Sequence, residues 1–581
     1  MVDEPSPNGD EQPELPQQAE VFRMPKRFGH VPVDDAPLGW DKEKRFEREF
    51  PRVELPFQQV ERMSFGHPEL EPNQLFFGDN LHVMRMLPSE SIDLIYIDPP
   101  FFSGRQYNLI FGDKSELRSF SDIWEGGLNG YLVWLNARLY EMKRLLKANG
   151  SLFVHLDWHA SHYAKVELDK IFGYGGDAES AGFKNEIVWS YGLGGSSNRY
   201  FPRKHDVIFW YTRGSSHYFD PPMVPATSNR MKGQLKKAPD VWDIPSINNQ
   251  AAERIGYPTQ KPEPLLRRII EAASPAGGVV ADFFCGGGTT PVVAQALGRR
   301  WLACDISRVA ISITADRVAK VSERGDAARQ VQGSLVPTPD VEIRNWGVYA
   351  VDTLTELDAT AFREFVVKAF AGRLATGAED VHGYKDGEPL YVGSPDQGEP
   401  IGVEEVGEFA KAVLRRSEAS EAKGTMLGWT FAPEAQAAVD RLLAQRKASI
   451  RFVRLKLVTL ESPDFKAHVV DRAPQYEHLL TFVLPPAVRF SAQPTGPKTY
   501  RFDASESQSL NAGGSIINVQ WDFDYGNYFT SSPGFEFSRT KDKLALDATH
   551  EFARAGTWRV ACRMQDDVGG QATAVADLEV A

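Results

Sequence analysis

The sequence predicts an α/β protein: a parallel sheet with its helices, then a mixed α/β domain, then an all-β module. Between about Asn73 and Val321, short apolar runs alternate with helically spaced patterns, which is how strands and covering helices of a parallel sheet read. Beyond Thr499 the chain is strand-like and turn-rich, with almost no helical periodicity. Hydrophobic residues at 42% and charged residues at 25% are those of an ordinary globular protein.

The elements follow in order. Residues 91–97 (SIDLIYI) read as a buried strand, and 131–146 carry apolar positions at helical spacing. Asn149-Gly150 breaks that helix, 151–156 (SLFVHL) returns as a strand, and 161–172 form the next helix. Residues 278–284 read as a strand, Thr290 as an N-cap with Pro291 at the first helical position, and 300–304 as another strand. A Pro-containing stretch at 336–340 (VPTPD) marks a boundary, and Pro485-Pro486 with 493–498 (QPTGPK) marks a second. The expected units are therefore an extended N-terminal segment (1–55), a first α/β domain (56–335), a second α/β domain (336–488) and a β-sandwich (489–581). The first twenty residues are acidic and rich in Pro and Gln, without a basic start or an apolar stretch, so they read as a disordered tail and not as a signal peptide.

At roughly 150 residues per domain, 581 residues make three to four domains. The balance of 65 basic against 78 acidic residues, −13, repels a polyanion, so a nucleic-acid site must be a local basic patch. Three cysteines, Cys285, Cys304 and Cys562, cannot build a disulfide framework or a four-cysteine zinc site, and a reducing cytoplasm is the expected location. No run approaches the roughly 18 to 20 apolar residues of a membrane span.

Three motifs carry chemistry. Asp98-Pro99-Pro100-Phe101 follows a strand: two prolines give a stiff loop without N–H donors, leaving the Asp98 carboxylate and the Pro99 carbonyl as neighbouring acceptors. Such a pair suits an exocyclic amino group, and Phe101 offers a plate for a planar base. In 282–290 (DFFCGGGTT) a strand runs into a Gly-rich turn that lets backbone approach a ligand. Asp305, at the end of the next strand, can accept hydrogen bonds from ribose hydroxyls. A dinucleotide fingerprint is the rival, but Pro291 stands where its third glycine belongs, and no Gly-Lys-Ser/Thr follows to make a phosphate loop. The third motif, 257–262 (YPTQKP), precedes a helix, and its Thr259 and Lys261 could bind a carboxylate. Each alone also reads as an ordinary turn or helix start.

In this order the motifs resemble the S-adenosylmethionine-dependent DNA amino-methyltransferases of the permuted β group, including type III modification subunits. The likeness extends through Gly78-Asp79-Asn80, the SLFVHLD strand, 185–189 (NEIVW) and 241–250 (VWDIPSINNQ), and covers roughly 73–325. It implies a Rossmann-like methyltransferase sheet and S-adenosyl-L-methionine as cofactor. By that likeness Asp98, Pro99, Pro100 and Phe101 form the catalytic loop. Asp79, Lys261, Asp282, Phe284, Gly286, Gly288, Thr289 and Asp305 bind the cofactor, with Asp79 near its adenine. Asp at the first motif position leans toward adenine N6 over cytosine N4, and no cysteine follows a proline as C5-cytosine methylation requires. The expected activity is adenine-specific methylation of a flipped-out base in double-stranded DNA, in restriction-modification or phage defence. Cytosine N4, an RNA base, or an idle DNA-binding scaffold are the alternatives. A homodimer or a restriction partner subunit stays open.

Residues 190–240 are the target-recognition candidate, although the resembling enzymes carry a longer insert there. Within 191–239, Arg199, Arg203, Lys204, Arg213, Arg230, Lys232, Lys236 and Lys237 face only Asp206 and Asp220, with Tyr200, Phe201, Trp210 and Tyr211 interleaved. Of these, Arg199, Arg203, Lys204, Arg230, Lys232, Lys236 and Lys237 are the DNA-binding candidates. Residues 341–484 faintly resemble Mrr-type restriction-endonuclease-like domains, with Asp380 as the first acid. The strand that should hold the acid–lysine pair reads Leu390-Tyr391-Val392-Gly393, so an inactive relative or an unrelated accessory domain is expected. The last module, with Trp521 and the acidic turns at 522–524 and 566–567, resembles PKD-type immunoglobulin-like sandwiches. Its acidic cluster could bind calcium, but the carboxylates read rather as solvated turns, and no metal is expected.

Overall fold

The structure, a computed structural model, describes residues 50–100, 127–175, 179–192, 198–226, 230, 232–248, 253–255, 257, 259–323, 330–331, 334–335, 337–377, 380–447, 449–471, 478–531 and 544–581. Its centre is a sheet of ten strands: β1 (Phe57–Met63), β2 (Asn73–Phe77), β3 (Ile92–Ile97), β4 (Leu146–Leu156), β5 (Gly182–Ser190), β6 (His205–Thr212), β7 (Val241–Asp243), β8 (Val279–Asp282), β9 (Arg300–Asp305) and β10 (Val341–Trp346). The spatial order is β1-β10-β2-β9-β8-β3-β4-β6-β5-β7. The run from β10 to β4 is parallel, whereas β1 and β6 pair antiparallel to their inner neighbours.

Both faces of this sheet are covered, which is why its central strands are continuously apolar. On β3, Ile95 and Ile97 join one core with Leu135, Leu139 and Met142 of helix α2, while Leu94 and Tyr96 join the other with Leu266, Ile269 and Val292. The helices are α1 (Asn80–Met86), α2 (Gly127–Leu145), α3 (Ser161–Phe172), α4 (Glu263–Ala273), α5 (Thr289–Ala296) and α6 (Arg308–Glu323). Two local expectations are corrected. Asn149-Gly150 does not end the helix: α2 stops at Leu145 and both residues lie inside β4. Gly288, at φ 76, is the N-cap of α5, so Thr290 lies inside the helix, where its hydroxyl donates to Asp282 at 2.5 Å. A Cβ on Gly288 would stand 2.5 Å from the Thr314 hydroxyl, so only glycine fits this entry.

The expected boundary at 336 also moves. β10 lies between β1 and β2, and Asp340 just before it accepts from the Phe65 amide at 2.9 Å and from Arg62 at 2.9 Å. Short prolines at 337–340 thus lead into the large sheet and do not leave it.

The second unit holds a sheet ordered Arg373–Leu374, Gly383–Lys385, Glu388–Val392, Glu421–Gly428 and Phe452–Thr459, its last three strands parallel. Asp380 is held by Arg415 at 2.7 Å and Arg416 at 2.5 Å. The third unit is two three-stranded sheets around Phe502, Trp521, Phe523, Phe552 and Met564. Its turn acids are satisfied internally: Asp566 accepts the amides of Val568, Gly569 and Gly570, and Asp522 accepts that of Thr530. Among the described residues no acid, histidine or cysteine cluster could hold a metal ion, and no helix is long and apolar enough to cross a membrane.

This third unit packs on α6 and on β1. Ser312 donates to Gln520 at 2.7 Å, the Ser531 amide donates to Asp316 at 2.6 Å, and Arg563 pairs with Glu61 at 3.0 Å.

Candidate active site

Strands β2, β9, β8 and β3 are parallel neighbours, so their C-terminal ends share one edge, the usual ligand side of an open α/β sheet. The residues that follow them line one cavity: Asp79, Asp305, Phe284 to Gly287, and Asp98 to Pro100, closed by Trp134, Tyr257 and Lys261. The structure therefore brings together the three motifs, which lie up to about 200 residues apart.

Asp98 forms an ion pair with Lys261, both side chains being largely buried. The sequence placed these two residues in separate roles, and the fold makes them partners. Lys261 is fixed in turn through its carbonyl, which accepts the Thr289 hydroxyl at 3.2 Å.

The Gly-rich turn is held from three sides. The Gly286 amide donates to Asp305 at 2.8 Å, as the Ser307 amide does at 2.9 Å. Thr314 of α6 donates to the Gly286 carbonyl at 3.1 Å, and Arg317 donates to the Gly287 carbonyl. Tyr257 lies against the turn so closely that a Cβ on Gly286 would be 3.1 Å from its ring. Burial raises the Asp305 carboxyl above its usual range, against the pull of its backbone donors.

Asp282 is buried below the turn, accepting the Phe284 amide at 3.0 Å as well as Thr290. Burial, with Asp98 and Asp305 adding to it, pushes this carboxyl up to about 7. A carboxyl whose pKa is raised in the folded state loses stabilising free energy as pH climbs from its ordinary value of 3.8 through about 7. Asp282→Asn is expected to remove that dependence. Its melting temperature relative to the native protein should therefore be more favourable at pH 8 than at pH 5, and a pH-independent difference in thermal scans would refute the assignment.

Asp79 caps α1 by accepting the Leu81 amide at 2.8 Å, and both its oxygens face Arg138 of α2 at 3.1 Å. Burial works to raise this carboxyl, but Arg138 and its other neighbours outweigh it and hold the group below its ordinary value. Arg138 also donates to Asn80 at 2.6 Å, and Asn80 donates to the Phe283 carbonyl at 2.7 Å, tying α2, α1 and the end of β8 together. Trp134 stands 5.6 Å from Phe284, ring to ring. Breaking a buried pair strands a charge at a cost of about 3 kcal/mol or more. Arg138→Met is accordingly expected to shift the urea midpoint down by that amount of stability, whereas a surface control such as Arg267→Met should leave it within about 0.5 kcal/mol.

Arg138, Trp134, Thr314 and Arg317 escaped the sequence reading: they lie on α2 and α6, where nothing in the pattern separates them from core. Asn80 and Tyr257 fall inside the Gly78-Asp79-Asn80 and YPTQKP motifs, without a role of their own assigned there. Phe101 lies outside the described residues. The basic candidates divide between two segments. Arg199, Arg203 and Lys204 lie on the loop joining β5 to β6, while Arg230, Lys232, Lys236 and Lys237 lie in or beside the hairpin of Met223–Pro225 and Leu235–Lys237.

Residues 92–316 match the family model described as DNA methylase. This segment is a DNA methyltransferase of the N6/N4 type. The methyltransferase segment uses S-adenosylmethionine. Type II methyltransferase M.ScaI of Streptomyces caespitosus is 26% identical over 314 residues, spanning 50% of this chain and 96% of the relative. DNA adenine methyltransferase YhdJ of Escherichia coli (strain K12) is 28% identical over 282 residues, spanning 44% of this chain and 89% of the relative. Among solved structures, PvuII DNA methyltransferase (cytosine-N4-specific) aligns with a TM-score of 0.32 and 16% identity over 43% of this chain and 92% of that one. A small C-terminal part aligns with the PKD1 domain of Vibrio anguillarum Epp, at a TM-score of 0.13 and 20% identity over 16% of this chain and 93% of that domain. The two curated relatives span only about half of this chain, and the family match ends at 316, before β10 and the two C-terminal units.

The cavity fits the cofactor. It offers acceptors for ribose hydroxyls at Asp305, glycines at which a Cβ would crowd Tyr257 (3.1 Å at Gly286 and Gly287) or Thr314 (2.5 Å at Gly288), aromatic rings at Phe284 and Tyr257, and an ammonium at Lys261 for a carboxylate.

Proposed function

We propose that the chain methylates the N6 amino group of adenine in double-stranded DNA, as the modification enzyme of a restriction or phage-defence system in the cytoplasm. The observation that carries this reading is the meeting, in one cavity, of the Asp98-Pro99-Pro100 loop with the Gly-rich turn and Asp305. In this reading Gly286, Gly288, Thr289, Phe284, Asp282, Asp305, Asp79 and Lys261 hold the cofactor. The cofactor supplies the methyl group on a sulfonium.

The target base has to leave the duplex, because its amino nitrogen cannot meet a methyl donor inside the stack. Asp98 and the Pro99 carbonyl accept its two N–H groups and orient the nitrogen lone pair, and Phe101 stacks on the ring. The rate enhancement comes mainly from positioning, with no covalent enzyme intermediate. The cysteines agree with this: Cys285, Cys304 and Cys562 are buried, and burial pushes each thiol up, away from a nucleophilic thiolate.

The second unit is proposed as an inactive nuclease-like or accessory domain, since Asp380 is occupied by two arginines. The third is proposed as a PKD-like sandwich that braces α6. To test the function, the full chain is incubated with labelled S-adenosylmethionine and mixed double-stranded DNA, and the DNA is digested to nucleosides for mass spectrometry. N6-methyladenine supports the reading. N4-methylcytosine would move the target to the other base, and no methylated nucleoside despite cofactor binding would favour the scaffold. Sequencing the methylated DNA locates the site.

A further inference from the structure

The ring of Phe201 is 95% exposed, far more than any other large aromatic described in the methyltransferase segment. Leaving a phenyl ring in water forgoes a burial term of about 1.5–3 kcal/mol; a lone exposed ring is ordinary on a protein surface, and what singles out Phe201 is its place in the fold and its basic neighbours.

Its position is set by the sheet. β4 runs parallel to β3, so Trp158, just past the end of β4, emerges at the same edge as Asp98. β6 is antiparallel to β4, with Leu156 opposite Val207, so the loop before β6 emerges there too, two strands across from β3. At about 4.8 Å per strand that is about 10 Å, or roughly the rise of three base pairs.

The loop is stiff where it carries the ring. Pro202 fixes its own φ and restricts Phe201 to extended backbone. The guanidinium of Arg203 lies 3.9 Å from the Trp158 ring and 4.9 Å from that of Tyr200, while His159 lies 3.7 Å from Trp158 on ring centroids. Trp158 is therefore an anchor with its ring engaged, and Phe201 is the aromatic held outward. Arg199, Arg203 and Lys204 flank it with no acid between 198 and 204, which favours a polyanion as the occupant over an acidic or neutral protein face.

We infer that Phe201 is the wedge that enters the base stack of duplex DNA when the target base is flipped, Arg203 on Trp158 bracing it. This rests on the DNA methyltransferase reading above and adds a residue to it. A ring inserted at the vacated step restores stacking lost on extrusion and slows the return of the base.

The test uses full-length protein and two duplexes carrying the sequenced target site, one fully paired and one with an abasic position opposite the target base. Phe201→Ala is expected to lower kcat/KM on the paired duplex by about 10- to 100-fold. On the abasic duplex, where the base is already unpaired, the loss should stay within about threefold, and Phe201→Trp should restore activity on the paired duplex. An unchanged rate on the paired duplex, or an equal loss on both, overturns the wedge. Absence of any methylated nucleoside in the mixed-DNA assay removes the methyltransferase reading and the wedge with it, whereas native activity with an indifferent Phe201→Ala variant removes the wedge alone.

Discussion

Asp98→Ala is expected to reduce methyl transfer by about 10³-fold while leaving cofactor affinity within about threefold, because the group it removes acts on the amino nitrogen and not on the donor. The stiffness of the loop makes the effect large. Pro99 and Pro100 fix the loop, so no other carbonyl can swing in to replace the lost acceptor, and water entering the gap cannot be held in one orientation. The ion pair to Lys261 gives a second, separable consequence. Removing Asp98 strands the ammonium, which then has the cofactor carboxylate as its remaining anionic partner in the proposed arrangement. Cofactor affinity should hold or rise, so a fall of more than tenfold in a calorimetric titration would contradict the division of labour. Asp98→Asn sharpens the result, since its amide presents one acceptor and two donors to an amino group that itself donates. That one oxygen can still take one N–H, so activity between the native and alanine levels is expected, and an asparagine variant no more active than alanine would count against acceptance by this side chain.

Asp305→Ala is expected to weaken cofactor binding by about 100-fold, equivalent to one or two hydrogen bonds to a charged acceptor. The carboxylate has two duties here. Its oxygens already accept the Gly286 and Ser307 amides, which fixes the turn, and in the proposed site their remaining lone pairs receive ribose hydroxyls. Alanine removes both, leaving two amides without their acceptor. Asp305→Asn keeps one oxygen for one amide and should fall between the two, at about tenfold. The Kd is measured directly with S-adenosylhomocysteine, so catalysis need not be intact. A Kd unchanged by alanine would place the ribose elsewhere in the cavity.

Much of the first unit was legible because its chemistry is local. SIDLIYI reads as a strand buried on both faces because a parallel sheet between helices demands continuous apolar residues, and IDLIYI is that strand, β3. SHYAKVELDKIF reads as a helix and is one, residue for residue. The misreadings arose where two local signals competed. Thr290-Pro291 looks like a cap and first turn, but Gly288 can take the left-handed conformation that a threonine takes only at a cost, so the helix starts earlier. The prolines at 337–340 look like a linker, yet β10 finds its place between β1 and β2, a pairing across more than 260 residues that no window of sequence contains.

The sequence by itself determined the fold class of the first unit, its matched DNA-methylase character, and where the Asp98-Pro99-Pro100 loop and the Gly-rich turn fall. These depend on residue types at short spacings, and hydrogen-bonding capacity, φ restriction and apolar periodicity are properties of short segments. Only the tertiary structure decided that Lys261 pairs with Asp98, that Arg138 neutralises Asp79, and that Thr314 and Arg317 of α6 hold the turn while Ser531 of the sandwich binds the same helix through Asp316. Those partnerships are long-range and charged or polar. Lys261 meets Asp98 because the helix it precedes packs on the sheet face formed with Leu94 and Tyr96, beside the edge where β3 ends, and that packing follows from burying two apolar faces at once.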